Sequence, residues 1–244
     1  MDTHLYQEDL AYIHHHGFGD LARAAGPWLL KTLHRAGIQD GTIVELGCGG
    51  GVLLAQLAAA GYRAVGVDSS AAMLEIASST APTATLVQGS LYDAAIPACS
   101  AVVAVGEGLN YVTGPDVRPP VQPLFERIAS ALAPGGLLLF DAMVRGTEPF
   151  TAYRTWAAGA DWACLVDVQP QPAGPYLRRA ITTFRRAGET YRRGEEEHWV
   201  YLFSRPELLR PLEEAGFRVR TSRAYGRVRL APGRRLFHGS RAGG

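Results

Sequence analysis

Two carboxylates flank a glycine-rich turn in the first third of the chain. Glu45 stands two residues before the run Gly-Cys-Gly-Gly-Gly at 47–51, and Asp68 follows that run by seventeen residues. Glycines lack a Cβ, so a ligand can approach their backbone closely. Asp68 is placed to accept hydrogen bonds from the two hydroxyls of a ribose, and Glu45 suits a ligand that carries an ammonium group. The pattern predicts a nucleoside site.

Apolar runs place this turn between a strand and a helix. Residues 42–46 predict a buried strand, 52–60 a helix, and 63–67 a second strand that ends directly before Asp68. The glycine spacing is G-x-G-x-G, because Val52 stands where a dinucleotide fingerprint has its third glycine. A carboxylate just before the turn would also repel a pyrophosphate. Both features disfavour a nicotinamide dehydrogenase.

Strands and helices alternate up to residue 141, after which the pattern changes. Further strands are predicted at 84–88, 101–106 and 136–141, and further helices at 20–36, 70–79 and 119–132. This alternation is typical of βαβ units in a parallel sheet. Residues 150–203 instead predict three antiparallel strands, with a hairpin turn at 187–190. A capping box at 204–207 begins another helix, and strands follow from 217 and at 234–238.

These features resemble the class I S-adenosylmethionine-dependent methyltransferases, specifically their small-molecule branch. The resemblance rests on Glu45, the glycine turn, Asp68 and the Pro-Gly-Gly stop at 134–136 before a buried strand. It covers residues 40–141 well and 204–238 loosely. It implies an α/β fold with a Rossmann-like, doubly wound, mostly parallel seven-stranded sheet and an antiparallel strand insert after the fifth strand. It also implies an enzyme that uses S-adenosylmethionine to methylate an N, O or C nucleophile of a small molecule.

One methyltransferase domain with four parts is predicted. Residues 1–35 form an N-terminal helical lid, and residues 36–149 form the cofactor-binding core. Residues 150–203 form an antiparallel insert that covers the substrate, and residues 204–244 complete the sheet. Two alternatives stay open: a non-catalytic S-adenosylmethionine-binding module, and a nucleic-acid methyltransferase.

The resemblance assigns cofactor contacts to residues at the predicted strand ends. They are Glu45, Gly47, Gly49, Gly51, Asp68, Ser69, Ser90, Leu91, Gly106 and Glu107. The commonest family version has an aspartate where Ser90 stands, and a hydroxyl is a weaker acceptor than a carboxylate. Asp93 could take over the contact with adenine.

His198 and Glu107 are the candidate catalytic residues. A histidine on the predicted insert could accept a proton near neutral pH, although it could equally be an ordinary strand histidine. Glu107 lies in the loop after the fourth predicted strand, and its alternative is a solvated loop acid. The candidate substrate contacts are Tyr12, His14, Asn110, Tyr111, His198 and Trp199. No metal site is predicted, because the consecutive histidines at 14–16 point in different directions on a helix.

The charged residues are distributed unevenly along the chain, and this distribution bears on which partners the protein could bind. The net charge is +1, yet residues from Arg178 onward hold 16 basic and 7 acidic side chains. Such a segment could attract an anion or nucleic acid, or form a solvated outer face. Nucleic-acid amino methyltransferases carry an Asn/Asp-Pro-Pro-Tyr/Phe motif where this chain has no proline, so a small-molecule substrate is predicted, without nucleic acid or membrane. A homodimer is left open. The N-terminus lacks a signal-peptide core and the cysteine count is odd, which predicts a cytoplasmic protein.

Overall fold

The computed structural model describes residues 5–146 and 150–241. Its helices are α1 Glu8–Phe18, α2 Asp20–Arg35, α3 Val52–Ala59, α4 Ala71–Thr80, α5 Val121–Ala131 and α6 Arg205–Glu214, with a short 3-10 helix at Gly108–Asn110. Within these described ranges, no helix combines the length and the apolar character needed to cross a membrane. The predicted boundary at residue 149 and the end of the chain at 242–244 lie outside the described residues.

The strands form a long series along the chain. They are β1 Thr42–Leu46, β2 Arg63–Asp68, β3 Thr85–Gln88, β4 Cys99–Ala104, β5 Tyr111–Val112, β6 Leu132–Met143, β7 Tyr153–Ala158, β8 Trp162–Pro170, β9 Tyr176–Ala187, β10 Thr190–Tyr201, β11 Phe217–Ser222, β12 Ala224–Tyr225, β13 Val228–Arg229 and β14 Arg234–Arg241.

A seven-stranded sheet forms the centre of the molecule, in the order β11-β14-β6-β4-β1-β2-β3. The strands from β6 to β3 in this order are parallel to their neighbours, and β14 runs antiparallel to both β6 and β11. Successive residues of β1 face opposite layers: Ile43 packs with α2 and α3, and Val44 packs with α5 and α6. The predicted doubly wound, mostly parallel sheet is therefore confirmed.

A second, antiparallel sheet, which we call the roof, has the order β5-β10-β9-β8-β7. The insert contributes four of its strands rather than the three expected, because residues 153–158 pair along their whole length with β8. The predicted hairpin lies between β9 and β10, where Gly188 has a φ of 65°. The fifth strand comes from residues 111–112, which pair with β10. That pairing joins the core to the roof.

Two helices precede β1, whereas the sequence predicted one. α2 matches the helix predicted at 20–36, and α1 is the additional helix. Leu10 and Ile13 of α1 pack with Trp162, Cys164 and Ile181 of the roof. The N-terminal segment therefore lies against the inner face of the roof.

Candidate active site

The glycine turn between β1 and α3 lies on the wall of a cavity of about 1350 Å³. Gly47, Gly49 and Gly51 have φ angles of 72°, 50° and 77°, a region that strains any residue with a Cβ. Gly47 and Gly49 line the cavity, whereas a Cβ on Gly51 would lie 3.1 Å from Ala77. Two of the glycines thus leave room for a ligand, and the third lets α3 pack against α4.

Asp68, the last residue of β2, closes the turn from the side. Its Oδ2 accepts a hydrogen bond from the Gly49 N–H at 2.8 Å, and its Oδ1 accepts one from the Ser70 N–H at 2.9 Å. Burial raises the pKa of Asp68, and these backbone N–H groups oppose that rise. Asp68 and Ser69 both line the cavity.

Glu45 is a buried acid, and one of its carboxylate oxygens accepts no hydrogen bond. It is 2% exposed, and its Oε2 has no hydrogen-bond partner among the described residues. Burial, and secondarily the Asp68 carboxylate, raise the pKa of Glu45 well above its usual range. A buried polar atom without a partner is costly. A ligand ammonium group would satisfy this oxygen and restore the charge of the carboxylate.

These features fit S-adenosylmethionine, which carries an ammonium group, a ribose and an adenine. Glu45 would hold the ammonium group and Asp68 the ribose. Ser90 and Leu91 line the same cavity, whereas Asp93 is exposed and lies off its wall. The Ser90 Oγ accepts a hydrogen bond from the Tyr92 N–H at 3.1 Å. The structure therefore offers Ser90 rather than Asp93 to the adenine.

Glu107 also lines the cavity and is held by two arginines. It is 4% exposed, and its carboxylate lies 2.6 Å from Arg179 Nη1 and 2.9 Å from Arg234 Nε. Burial alone would raise the pKa of Glu107, but the two guanidinium groups outweigh it and hold the pKa below its usual value. The carboxylate is therefore charged and bound to its partners.

The backbone at Glu107 is held by Asp141 at the buried end of β6. Glu107 has a φ of 61°, which is unfavourable for a residue with a side chain. The Asp141 carboxylate accepts hydrogen bonds from the N–H groups of Gly106 and Glu107, each at 2.9 Å, and from the Tyr225 hydroxyl at 2.6 Å. These three donors hold the turn that points Glu107 toward the arginines.

His198 lines the cavity from the roof. It is 1% exposed, and its Nε2 lies 2.8 Å from Glu196 Oε2. Its Nδ1 is buried and has no partner in the described ranges. The ring of Tyr6 lies 4.9 Å from the imidazole, centroid to centroid. The predicted candidate base is thus in the cavity, with one nitrogen held and the other unpaired.

The N-terminal segment closes the remaining side of the cavity. The Tyr6 and Tyr111 hydroxyls lie 2.8 Å apart, and the Ser70 Oγ donates to the Tyr6 carbonyl at 2.7 Å. His14 also lines the cavity, and burial lowers the pKa of His14 to about 4. His15 packs so closely on the glycine turn that a Cβ on Gly50 would lie 2.3 Å from its Nδ1.

Three predicted substrate contacts lie away from the cavity wall. The Tyr12 hydroxyl donates to Asp161 at 2.9 Å, and the Trp199 indole donates to Glu197 at 3.0 Å. Asn110 is fully buried, and its amide bonds the backbone of Met143 and Tyr201. The structure therefore brings His14, Tyr111 and His198 together with the glycine turn and leaves Tyr12, Asn110 and Trp199 outside the group.

Several arginines of the roof are paired with acids. Within the roof, Arg154 pairs with Asp167, Arg178 with Glu197 and Arg193 with Glu195, which supports the interpretation of a solvated outer face. Arg185 and Arg192 instead pair with Asp9 of α1, which lies against the inner face of the roof. Across the ranges that the structure describes, no group of three or more His, Cys, Asp and Glu side chains is arranged to hold a metal ion.

Sequence reasoning missed three residues of the cavity region: Arg179, Glu196 and Arg234. Arg179 and Arg234 lie 72 and 127 positions from Glu107. No local spacing marks them, because each arginine is one of several in an alternating strand. The available signal for the two arginines was Glu107 itself, because an acid that becomes buried in the fold needs counter-ions.

Comparisons with known proteins agree with this geometry. Residues 43–136 match the family model described as a methyltransferase domain. Curated protein sequences contain no significant match to the chain. Three solved structures superpose over almost the whole chain, at sequence identities that show a shared fold.

The first is an S-adenosylmethionine-dependent methyltransferase from Clostridium acetobutylicum, with a TM-score of 0.79, 17% identity, and coverage of 95% of this chain and 99% of that one. The second is DesVI from Streptomyces venezuelae, with a TM-score of 0.80, 21% identity, and coverage of 96% and 98%. The third is CalS10 from Micromonospora echinaspora, described as an amino pentose methyltransferase with bound cofactor, with a TM-score of 0.76, 18% identity, and 98% of both chains covered.

Proposed function

We propose that this S-adenosylmethionine-dependent methyltransferase, identified by its methyltransferase domain and its class I fold, methylates an amine nitrogen of a small molecule. The observation that carries the proposal is the unpaired, buried Nδ1 of His198, a residue that lines the same cavity as Glu45 and Asp68. CalS10, which is described as an amino pentose methyltransferase, supports a substrate that carries an amine by analogy of fold.

The cofactor half of the proposed site consists of Glu45, the glycine turn and Asp68. When bound there, S-adenosylmethionine supplies an electrophilic methyl group on a sulfonium. The protein's own contribution is to orient the acceptor and to exclude water. Tyr6 and Tyr111, which share a hydrogen bond, close the cavity on the side of the N-terminal segment.

The substrate half favours an amine over an alcohol. An alcohol or phenol gains reactivity from a nearby cation that stabilises its anion. Among the described residues, the arginines that line the cavity are Arg179 and Arg234, and both are paired with Glu107. An amine needs no such cation, because it attacks as the neutral base and afterwards loses a proton. His198 can take up that proton at Nδ1.

A methyl-transfer assay on a substrate panel tests the proposal. The folded protein is incubated with S-adenosylmethionine and primary or secondary amines, including amino sugars, and with matched alcohols, phenols and carboxylic acids. We expect S-adenosylhomocysteine to form with amines, together with a product heavier by one methylene. Turnover on the oxygen nucleophiles alone would contradict a nitrogen acceptor, and cofactor binding without turnover on any class would favour a binding module.

The His198→Asn variant distinguishes two roles for His198, a proton acceptor and a residue that only lines the cavity. The asparagine retains polarity but cannot accept a proton near neutral pH. We expect kcat on the accepted amine to fall, because the methylated nitrogen loses its proton acceptor, while the Kd for S-adenosylhomocysteine stays within about twofold. Unchanged turnover would remove His198 from the mechanism.

A further inference from the structure

The Glu196 carboxylate serves three donors at once. Its Oε2 accepts a hydrogen bond from the Tyr6 N–H at 2.7 Å and lies 2.8 Å from His198 Nε2, and its Oε1 accepts one from the Gln7 N–H at 2.8 Å. The Glu196 side chain is 7% exposed. One buried carboxylate thus joins the N-terminal segment to the histidine that lines the cavity.

The proton between Glu196 and His198 belongs to the histidine. Both carboxylate oxygens already accept backbone N–H groups, so the side chain is an acceptor and His198 donates from Nε2. In the neutral ring the lone pair is then on Nδ1, the buried nitrogen without a partner among the residues described. Tyr6, Tyr111 and His14 surround the ring, and Arg179 is its cross-strand neighbour on β9.

The same carboxylate pins the segment that covers the cofactor half of the cavity. Leu5, Tyr6 and Gln7 line the cavity together with Asp68. On one side Glu196 accepts the N–H groups of Tyr6 and Gln7, and on the other the Ser70 Oγ donates to the Tyr6 carbonyl at 2.7 Å. Tyr6 has a φ of 55°, a conformation that these contacts from both sides must maintain.

We propose that Glu196 is a positioning residue that couples the docking of residues 5–7 over the cavity to the tautomer of His198. With the segment docked, the carboxylate is fixed against Nε2–H, and Nδ1 is free to accept a proton. The proposal rests on the proposed function, because that proton leaves the nitrogen of the methylated amine. The N–H bond breaks, its electron pair stays on the amine, and the proton passes to Nδ1. When the segment leaves, the carboxylate loses two of its three donors.

Glu196→Gln tests the coupling, with Glu195→Gln as the matched control. The Tyr6 N–H and His198 Nε2 share Oε2, so the amide of the variant cannot satisfy all three groups. Where its NH₂ takes the place of Oε2, it opposes the Tyr6 N–H and moves the ring proton to Nδ1, in the manner of an amide that imposes the wrong tautomer on a catalytic histidine. Where its NH₂ takes the place of Oε1, the ring keeps Nε2–H and the segment loses the contact at Gln7. Glu195 is 63% exposed, pairs with Arg193 and lies on the outer face of the roof. Its variant is expected to leave His198 unchanged.

Long-range ¹H–¹⁵N spectra of the full chain give the tautomer directly, with the His198 signal assigned by its loss in His198→Asn. We expect Nε2–H in the wild type and in Glu195→Gln, and a population of Nδ1–H in Glu196→Gln. The dissociation rate of S-adenosylhomocysteine reports the docking of the segment. It is expected to rise about tenfold in Glu196→Gln, because a charge-assisted contact is lost, and to stay within about twofold in the control.

An Nδ1–H tautomer in the wild type would overturn the proposal, and this measurement needs no variant of Glu196 to fold. Wild-type spectra and dissociation rates in a folded Glu196→Gln variant would overturn it as well. Failure of the proposed function gives a different pattern, in which the tautomers and dissociation rates are as expected but no amine in the panel is methylated.

Discussion

The two halves of the cavity are held together in opposite ways. On the cofactor side, the glycine turn, Glu45 and Asp68 all come from residues 45–68, and the bond from Gly49 to Asp68 spans 19 positions. The other side, which we call the roof side, comprises the cavity-facing residues of the roof together with Tyr6, Glu107 and Arg234. There the pair of Tyr6 and Glu196 spans 190 positions, and the two ion pairs of Glu107 span 72 and 127. The cofactor side is a local backbone structure, and the roof side is a set of long-range charged contacts.

This difference predicts how each half fails. A binding site formed by the backbone of a glycine turn loses affinity when a Cβ is added, and it tolerates changes of charge at distant positions. A wall of buried charged groups is sensitive to the loss of one partner, because the remaining charge stays buried without compensation. Mutations of the two halves therefore separate ligand affinity from folding stability.

The largest effect on stability is expected from Glu107→Gln. The change leaves Arg179 and Arg234, whose side chains are 15% and 19% exposed, without their shared carboxylate. We expect the free energy of unfolding to fall by about 3 kcal/mol in urea titrations, as for other broken buried pairs. Glu195→Gln, which breaks an exposed pair, should cost less than about 0.5 kcal/mol. Equal small losses in both variants would show that the roof side is not held by these charges.

The next largest effect is a dependence of stability on pH that arises from the protonation of His14. The pKa of this histidine is lowered from its ordinary 6.5 to about 4 in the folded protein, chiefly by burial. Between these values the unfolded chain binds the proton more readily, so the free energy of unfolding falls as the pH decreases from about 6.5 toward 4. The loss from this group is at most roughly 3 kcal/mol and is complete below the folded pKa.

His14→Gln is expected to flatten this slope by up to about 1.4 kcal/mol per pH unit in urea titrations across the same window. His34→Gln, on the exposed end of α2, is the control and should keep the wild-type slope. If both variants titrate like the wild type, His14 is not held neutral by the closed N-terminal segment.

A smaller effect on stability, with a clear effect on affinity, is expected from Gly47→Ala. Gly47 and Gly61 have φ angles of 72° and 90°, and neither would bring a Cβ closer than 3.9 Å to another atom. Both alanine variants should lose about 1 kcal/mol of stability through backbone strain alone. Because Gly47 alone of the two lines the cavity, only its variant should weaken S-adenosylhomocysteine binding in calorimetry. Equal affinities would place the ligand elsewhere.

The comparison also explains what could be predicted from the sequence. The alternation of strands and helices, the glycine turn and Asp68 are local patterns, and the predicted seven-stranded sheet is confirmed. The pairing of Tyr111 with β10 depends on a partner distant in sequence. The extra roof strand β7 pairs with the neighbouring β8, and it was missed although its partner is local. Asn110 seemed a ligand contact because it follows a strand end, yet its amide is used to brace the backbone of β6 and β10. Arg179 and Arg234 could not be singled out among many arginines.

The most direct test of the account is calorimetric titration of the full chain with S-adenosylhomocysteine, beside Asp68→Ala and Asp93→Ala. Asp68 lines the cavity, whereas Asp93 is exposed off its wall. The account predicts one bound equivalent in the wild type and in Asp93→Ala, and an affinity at least about thirtyfold weaker in Asp68→Ala, whose folding is checked by circular dichroism. Equal binding in folded Asp68→Ala, or no binding to the folded wild type, would contradict the placement of the cofactor at this turn.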